Sequence, residues 1–497
     1  MKRISHAILT LMVVLLLLSC TNDIKNPSDL SGDSWSAVFE EYWAVMNEDY
    51  VHFAYESVDW DDVYEKYSPL FCKLDYSKEE DTFTAFRYFK EIAWNLSDYH
   101  YDLTVKDNFG WSLDVRPGVL QKWVKGGGNL MDFPDISKTE GGTTLFYSVA
   151  GGKDRSCTRA EAREYWDKAV SGYLEIEKLG SAFHNPTGNA EDTFYSSTYG
   201  SVTMEKEKDN QNWSTFIVDA FSLNGTTWCS GVTKSGVVYI QFTQFVDKGL
   251  IPFCYYIANE ATMSEEEKEE VKSKFKTYAL HGYSNIDDEH RKKIGVIINA
   301  FRYLNDAVEK GYVEIDGEDV EIKGIVIDLR CNGGGVADFM NSFMGTFFAS
   351  DRKVGYARSK MGFSRYDYTP WTEDTLGVWN TKLKEDYRGR VAVIVNGFSV
   401  SCSEIAAITA KLLPSALIFG STTFGGTSGI TSREMYQSGE YSGDRIHIFT
   451  TTFRYKGYDG RNYESVGIEP DVAVPLNTTK DDRFTAAVNW AATGKLE

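Results

Sequence analysis

Ser401 is the residue of this 497-residue chain whose position best suits a nucleophile. Residues 391–395 form a β-branched apolar run that predicts a buried strand, and Asn396-Gly397 after it predicts a turn. Apolar residues then recur at helical spacing from Ile405 onward. A serine at such a junction lies beside the free N–H groups of a helix N-terminus, which can stabilise the negative charge that develops during acyl transfer.

Glu404 allows a second interpretation of the same serine. Ser401 and Glu404 match the S-x-x-E capping box, in which a hydroxyl and a carboxylate only satisfy backbone donors at the start of a helix. Both interpretations place Ser401 at a helix start. The spacing alone therefore leaves nucleophile and cap open.

Four motifs follow one another in the second half of the chain, namely Asp328-Leu329-Arg330-Cys331-Asn332-Gly333-Gly334-Gly335, Asn396 to Glu404, Gly420 to Gly426, and Gly467-Ile468-Glu469-Pro470-Asp471. In this order they resemble the tail-specific (C-terminal processing) serine peptidases of family S41. Weaker matches at Asp59-Trp60-Asp61 and Leu96-Ser97-Asp98-Tyr99-His100 extend the resemblance to the N-terminal region, and the middle is not covered. The resemblance implies Ser401 as the nucleophile, because the family motif places it two residues before the serine that adjoins glutamate.

The general base that the resemblance implies depends on the residue after Gly425. Many tail-specific peptidases carry a lysine there, whereas this chain has Gly426. That departure resembles the tricorn-like branch of the family, which implies His100 as the base and Glu464 as the acid that orients it. Histidine suits this role because its pKa lies near neutral pH. Tyr99 stands where the tricorn protease has a serine that assists the relay.

Plainer interpretations of these residues stay open. His100 also fits an ordinary polar residue at a helix end, and Glu464 also fits a solvated carboxylate in a turn.

For the oxyanion hole, the expected donors are the Cys402 N–H and one N–H of the glycine run, which we assign to Gly334. Asp328 and Arg330 are expected to brace that loop and are not assigned to catalysis.

The N-terminus predicts export and a lipid anchor. Lys2 and Arg3 precede an apolar run over residues 7–18, which is typical of a secretory signal peptide. Leu17-Leu18-Ser19-Cys20 resembles a bacterial lipobox, so we expect a lipoprotein signal peptide at 1–19, lipidation at Cys20 and a tether at 20–33. An ordinary signal peptide with an incidental Cys20 is the alternative. The expected location is the cell envelope, lipid-anchored at the outer membrane on its periplasmic or outer face.

Three further regions are predicted along the chain. Residues 34–105 have aromatic and aliphatic residues at helical spacing and predict an N-terminal helical domain. Residues 106–235 predict a β-rich middle domain, with a degenerate PDZ-like module as one interpretation. Residues 236–497 alternate apolar strands with helices and predict the catalytic core. The predicted fold class is α/β, multidomain, and the resemblance implies a ClpP/crotonase-like α/β core.

Charge and cysteine spacing limit the partners. Removing Lys2 and Arg3 with the leader takes the formal charge from −20 to −22, which argues against nucleic acid as a partner. Cys72, Cys157, Cys229, Cys254, Cys331 and Cys402 form no CxxC pair or metal-like spacing, so they predict neither a disulfide framework nor a zinc site, and one or two disulfides stay possible. The function predicted from the resemblance uses no metal or other cofactor. We therefore predict a serine endopeptidase that cleaves extended or unfolded polypeptides. The alternative is a catalytically inactive S41-like lipoprotein that binds peptides or a small ligand.

Overall fold

The structure is a computed structural model that describes residues 33–165, 228–245, 263–274, 300–378, 383–430, 439–476 and 481–496, apart from positions 126, 163, 316 and 363. Its helices are α1 Trp35–Asp49, α2 Trp60–Phe71, α3 Glu79–Ala93, α4 Pro117–Lys125, α5 Glu265–Lys274, α6 Ala337–Gly345, α7 Cys402–Ala410 and α8 Asp482–Thr493. The predicted signal peptide, Cys20 and most of the tether lie outside the described residues. No helix within the described ranges is long and apolar enough to cross a membrane.

The strands are β1 Asp102–Lys106, β2 Trp111–Val115, β3 Ile136–Glu140, β4 Thr143–Ser148, β5 Gly152–Thr158, β6 Trp228–Val232, β7 Val237–Phe242, β8 Tyr312–Ile315, β9 Glu318–Glu321, β10 Gly324–Asp328, β11 Arg352–Ser359, β12 Thr372–Leu376, β13 Arg390–Val395, β14 Ala416–Gly420, β15 Glu440–Ser442, β16 Ile446–Phe449, β17 Phe453–Gly457 and β18 Val472–Ala473. Together with the helices they confirm the predicted mixed α/β class.

A six-stranded sheet forms the centre of the C-terminal part, in the order β18-β14-β13-β10-β7-β6. All neighbours are parallel except β6 and β7. The strands β7, β10 and β13 are buried on both faces, as expected for parallel strands covered by helices. Helix α8 packs on one face through Phe484 and Val488, and helices α6 and α7 cover the other. The carboxyl ends of β10 and β13 therefore lie side by side and carry residues 329–335 and 396–401.

The N-terminal helices and the first strands share one hydrophobic core. Helices α1 to α3 pack their apolar faces on a seven-stranded antiparallel sheet of order β15-β16-β1-β2-β3-β4-β5. Ser34 and Asp59 cap α1 and α2 by accepting hydrogen bonds from backbone N–H groups of the first turn. Strands β15 and β16 come from residues 440–449, and β16 pairs with β1. This pairing brings the chain after Leu96 next to the C-terminal third of the sequence. The domain boundaries given above stay predictions.

Candidate active site

Ser401 occupies a strained position at the start of α7. Its φ of 57° and ψ of −122° lie in a region that residues with a Cβ seldom adopt. Such a conformation costs about 1–3 kcal/mol and persists where the surrounding structure enforces it, as at active sites. The Ser401 side chain is partly exposed, whereas every residue of α7 is buried. The turn thus lifts this one hydroxyl out of the sheet beside the helix N-terminus.

The two serines that flank Ser401 are committed to the loop after β10. Ser399 is buried and donates its hydroxyl to the Leu329 carbonyl at 2.7 Å. Ser403 is also buried and donates to the Asn332 carbonyl at 2.8 Å. Both hydroxyls therefore fix the two loops to each other.

Glu404 does more than cap the helix. Its carboxylate accepts the Ser401 N–H at 3.2 Å, which is the carboxylate half of a capping box. It also accepts the N–H groups of Gly425 and Gly426, each at 2.8 Å, and the Thr423 hydroxyl at 2.6 Å. Burial raises the pKa of Glu404 to about 7, against the lowering effect of these donors. Glu404 thus ties the loop after β14 to the backbone of Ser401.

Gly334 lies directly against Ser401. A Cβ at Gly334 would come within 2.6 Å of the Ser401 Cβ and 3.0 Å of the Cys402 nitrogen. The Gly334 N–H, assigned above to the oxyanion hole, donates to Asn332 Oδ1 at 2.9 Å. It is therefore not a free donor in this arrangement, whereas the Gly335 N–H has no acceptor among the described residues. The Cys402 N–H stands at the first position of α7, where a backbone donor has no acceptor within the helix.

A buried ionic cluster braces the glycine loop. Arg330 is 1% exposed and donates to Asp328, which ends β10, and to both carboxylate oxygens of Asp481 at 2.8 and 2.9 Å. Asp481 in turn caps α8 by accepting the Phe484 N–H. The cluster ties the loop at the end of β10 to the helix behind the sheet, so its role is structural, as expected for Asp328 and Arg330.

Tyr99 fills the space beside Gly426. A Cβ at Gly426 would lie 3.0 Å from three atoms of the Tyr99 side chain, so a longer residue there meets the ring. The ring centroids of Tyr99 and Phe424 are 4.2 Å apart. Burial raises the pKa of Tyr99, and the nearby Glu404 carboxyl adds to this rise. Gly426, which stands where many tail-specific peptidases have a lysine, is therefore packed against Tyr99 from the N-terminal region.

His100 is held by its backbone and buried at its ring. Its N–H donates to Asp98 Oδ1 at 2.8 Å, and the other Asp98 oxygen accepts the N–H and hydroxyl of Thr451, after β16. Burial lowers the pKa of His100 to about 4, so the ring is neutral at pH 7. Its Nδ1 is buried and has no hydrogen-bond partner among the described residues. No hydrogen bond joins His100 to Ser401 within the part of the chain that the structure describes.

Glu464 is buried, with 3% exposure, rather than solvated in a turn. One of its carboxyl oxygens accepts the Ser428 N–H at 2.6 Å, and the other is buried without a partner among the described residues. Burial raises the pKa of Glu464 to about 8, and the neighbouring Asp98 carboxyl raises it further. The loop that carries Glu464 joins the Ser401 region, because Ser465 donates its N–H to the Gly425 carbonyl at 2.7 Å.

His52 lies beside Asp98 and Glu464, a contact that the sequence interpretation missed. One side-chain atom from each of His52, Asp98 and Glu464 lies within 4.8 Å of the others. This donor set does not fit a cation, because the always-charged Arg454 guanidinium donates to His52 Nδ1 at 2.9 Å. His52 Nε2 is 2.6 Å from the Thr451 hydroxyl, so both ring nitrogens are occupied. A lone histidine in an aromatic helical segment carries no spacing signal that could have revealed this contact.

These observations define a parallel α/β core with a strained serine at a strand-to-helix turn, next to a glycine loop and the buried Glu404. A second group of buried residues contains His52, Asp98 and Glu464. Residues 293–474 match the family model "Peptidase family S41", and residues 31–75 match "Tricorn protease C1 domain". The match over residues 293–474 confirms the resemblance to peptidase family S41 that the motifs predicted.

Among characterised relatives, the chain is 30% identical over 224 residues to a "Probable CtpA-like serine protease" of Staphylococcus aureus. The alignment covers 43% of this chain and 40% of that relative, so the chain spans less than half of the relative's length. Among solved structures, mature CPAF in complex with lactacystin gives a TM-score of 0.44 at 9% identity, covering 92% of this chain and 96% of that one. The tricorn protease gives a TM-score of 0.35 at 13% identity, covering 93% and 36%.

Proposed function

We propose that this protein is a serine endopeptidase that cleaves extended or unfolded polypeptides through an acyl-enzyme on Ser401. The observation that carries the proposal is the Ser401 turn. A strained φ of 57°, a helix N-terminus and a glycine backbone in contact with the serine side chain meet at one hydroxyl. The S41 family match over residues 293–474 supports the same chemistry.

His100 is the proposed general base. A neutral imidazole is the form that can accept the Ser401 proton, and burial keeps His100 neutral at working pH. The hydrogen bond from the His100 backbone to Asp98 fixes the loop that carries the ring. Because no hydrogen bond joins His100 to Ser401 among the described residues, the mechanism needs a closing movement when substrate binds, since catalytic hydrogen bonds often form fully only in the complex.

Glu464 is the proposed acid that orients the base. Its partnerless oxygen and the partnerless His100 Nδ1 are both buried beside the Asp98 and His52 cluster. A direct or water-mediated contact between them would satisfy both atoms, whose burial without partners is costly. For the oxyanion, we propose the Cys402 N–H together with the glycine loop, where the Gly335 N–H is the free donor and the Gly334 N–H would have to leave Asn332.

We also propose a cellular location for the protein and a PDZ-like module in its middle region. Lipidation at Cys20 would anchor the enzyme in the cell envelope, with the outer membrane as the expected site. A PDZ-like module would use residues between 106 and 235, of which 166–227 lie outside the described residues. The proposed partners are a polypeptide substrate and a membrane, and no nucleic acid.

A fluorophosphonate probe tests the proposal directly. The purified protein is labelled and the adduct located by peptide mass spectrometry, alongside Ser401→Ala, Ser399→Ala and His100→Ala variants. We expect an adduct on Ser401 that is lost in Ser401→Ala, falls at least 100-fold in rate in His100→Ala, and persists in the folded Ser399→Ala control. A folded protein without any adduct would instead support the alternative, a non-catalytic lipoprotein that binds peptides or a small ligand.

A further inference from the structure

Three cations share one face of the ribbon formed by β11 and β17. The strands are antiparallel, with Arg358 opposite Arg454 and Tyr356 opposite Lys456. Residues paired in this way, and residues two apart on one strand, point to the same side of a sheet. Arg358, Arg454 and Lys456 therefore stand together. Like charges directly opposite each other destabilise a strand pair, so this face needs a compensating group.

Acidic side chains do not supply that compensation. Arg358, Arg454 and Lys456 make no ion pair with a carboxylate among the described residues, although the whole chain carries a formal charge of −20. The Nε atoms of Arg358 and Arg454 are both buried without an acceptor in the described structure. Arg454 itself is only 2% exposed, and Glu464 attracts its charge from beyond pairing distance.

Aromatic rings hold the cations in place. The Arg454 Cζ lies 3.4 Å from the centroid of the Tyr55 ring, and the Arg358 Cζ lies 5.2 Å from the same centroid. The centroid of the Trp371 ring lies 4.9 Å from the Arg358 Cζ and 4.2 Å from the Lys456 Nζ. Tyr55 is 41% exposed, and Arg358, Trp371 and Lys456 are partly exposed. The rings therefore lie beside all three charges, of which those of Arg358 and Lys456 are open to a ligand and that of Arg454 is buried.

This face continues into the candidate active site. Arg454 donates one nitrogen to His52, in the cluster with Asp98 and Glu464, and another to Asn462 Oδ1 at 3.0 Å. Asn462 stands two residues before Glu464 in the chain. A group bound on the ribbon would therefore lie beside the residues that position the proposed base.

We propose that Arg358 and Lys456, backed by the buried charge of Arg454, bind a carboxylate of the polypeptide substrate. A guanidinium offers a planar fork of N–H donors that matches the two oxygens of a carboxylate, and an ammonium adds a point charge. The incoming negative charge would offset the repulsion across β11 and β17. The inference rests on the proposed function in taking the ligand to be a polypeptide. Its carboxylate comes from the chain end or from an acidic side chain.

Two pairs of short peptides distinguish these sources. Calorimetric titration of the Ser401→Ala protein, which binds without cleaving, compares N-acetyl-Ala-Ala-Ala acid with its amide, and N-acetyl-Ala-Asp-Ala amide with its Asn counterpart. We expect one acidic member to bind at least tenfold more tightly than its neutral partner. Arg358→Gln should remove that preference. Lys353→Gln is the matched control, because Lys353 lies on the same strand but pairs with Glu373 at 3.3 Å.

Thermal melting separates binding from a merely structural role. Because Arg358→Gln removes both a like-charge contact and the contacts with the Tyr55 and Trp371 rings, which oppose each other, its melting midpoint should stay close to that of the parent protein. Equal affinity for the acids and their neutral partners, or an acid preference that survives Arg358→Gln, would overturn the proposal. A fluorophosphonate adduct on Ser401 without acid preference would leave the peptidase intact and remove this subsite. A preference for the acidic peptides without a fluorophosphonate adduct on Ser401 would indicate an anion-binding protein that is not a peptidase.

Discussion

Replacing Gly334 with alanine tests whether the glycine loop and Ser401 act as one unit. Gly334 has a φ of +89°, and an added Cβ would lie 2.6 Å from the Ser401 Cβ and 2.8 Å from the Val400 carbonyl oxygen. The left-handed backbone costs a residue with a Cβ about 1–2 kcal/mol. Crowding of a packed site adds about 1–3 kcal/mol. Gly334→Ala should therefore lower the free energy of unfolding by about 2–5 kcal/mol.

Gly333→Ala is the matched control. A Cβ at Gly333 would meet nothing within 4 Å, and its φ does not lie in the left-handed range. We expect this variant to keep the melting midpoint and the labelling rate of the parent. In Gly334→Ala the backbone or Ser401 must move by a large fraction of an ångström. Since a misplacement of about 1 Å can cost about 100-fold in rate, labelling of Ser401 should slow by a similar factor.

The two variants are compared by thermal melting and by the rate of fluorophosphonate labelling, each with the adduct mapped to its peptide. For a domain of this size, 2–5 kcal/mol corresponds to a fall of roughly 5–15 °C in the midpoint of the α/β core. If Gly334→Ala labelled and melted like Gly333→Ala, the contact between the glycine loop and Ser401 would have no part in the chemistry, and the reasoning would be refuted.

Two further predictions concern buried charge. The pKa of Glu464 is raised by folding to about 8, so its contribution to stability is full below its unfolded pKa of about 4.3 and is lost as pH rises through 8. The fall in melting midpoint between pH 5 and pH 8.5 should therefore be smaller in Glu464→Gln, and an unchanged fall would contradict the burial of an ionisable group there. Arg330→Met should cost about 3–5 kcal/mol in chemical denaturation because it leaves Asp328 and Asp481 buried without their partner. Lys411→Met, which breaks the more exposed pair with Asp471, should cost under about 1 kcal/mol, and similar costs for the two variants would refute the distinction.

Local patterns in the sequence carried much of the C-terminal fold. The apolar run at 391–395 is strand β13, and the residues with helical spacing after it lie in α7. Such elements can be predicted because the spacing of apolar residues along a short segment reflects which of its faces are buried. The S41 motifs selected Ser401 from three nearby serines, and the structure gives the other two hydroxyls to backbone carbonyls. The alternative of a cap also had a basis, since Glu404 does accept the Ser401 N–H.

Contacts between distant segments could not be obtained in this way. Thr451 binds Asp98 and His52 across about 350–400 residues, and no spacing rule links such positions. The same holds for Tyr99, which packs on Gly426, and for β16, which joins the N-terminal sheet through β1. The Gly334 N–H was expected to be free, but Asn332 two residues earlier takes it, which depends on the exact path of the loop.

The sequence by itself selected Ser401 as the candidate nucleophile and predicted the strand and helix around it and the S41 resemblance, because each of these is encoded by residues close together in the chain. Only the tertiary structure decided which groups lie against that serine and how deeply the other candidate residues are buried. Burial raises the pKa of Glu464 and lowers that of His100, and both shifts arise from water excluded by segments hundreds of residues apart. The cations of β11 and β17, which form no ion pair among the described residues, likewise became visible only when pairing put Arg358 opposite Arg454.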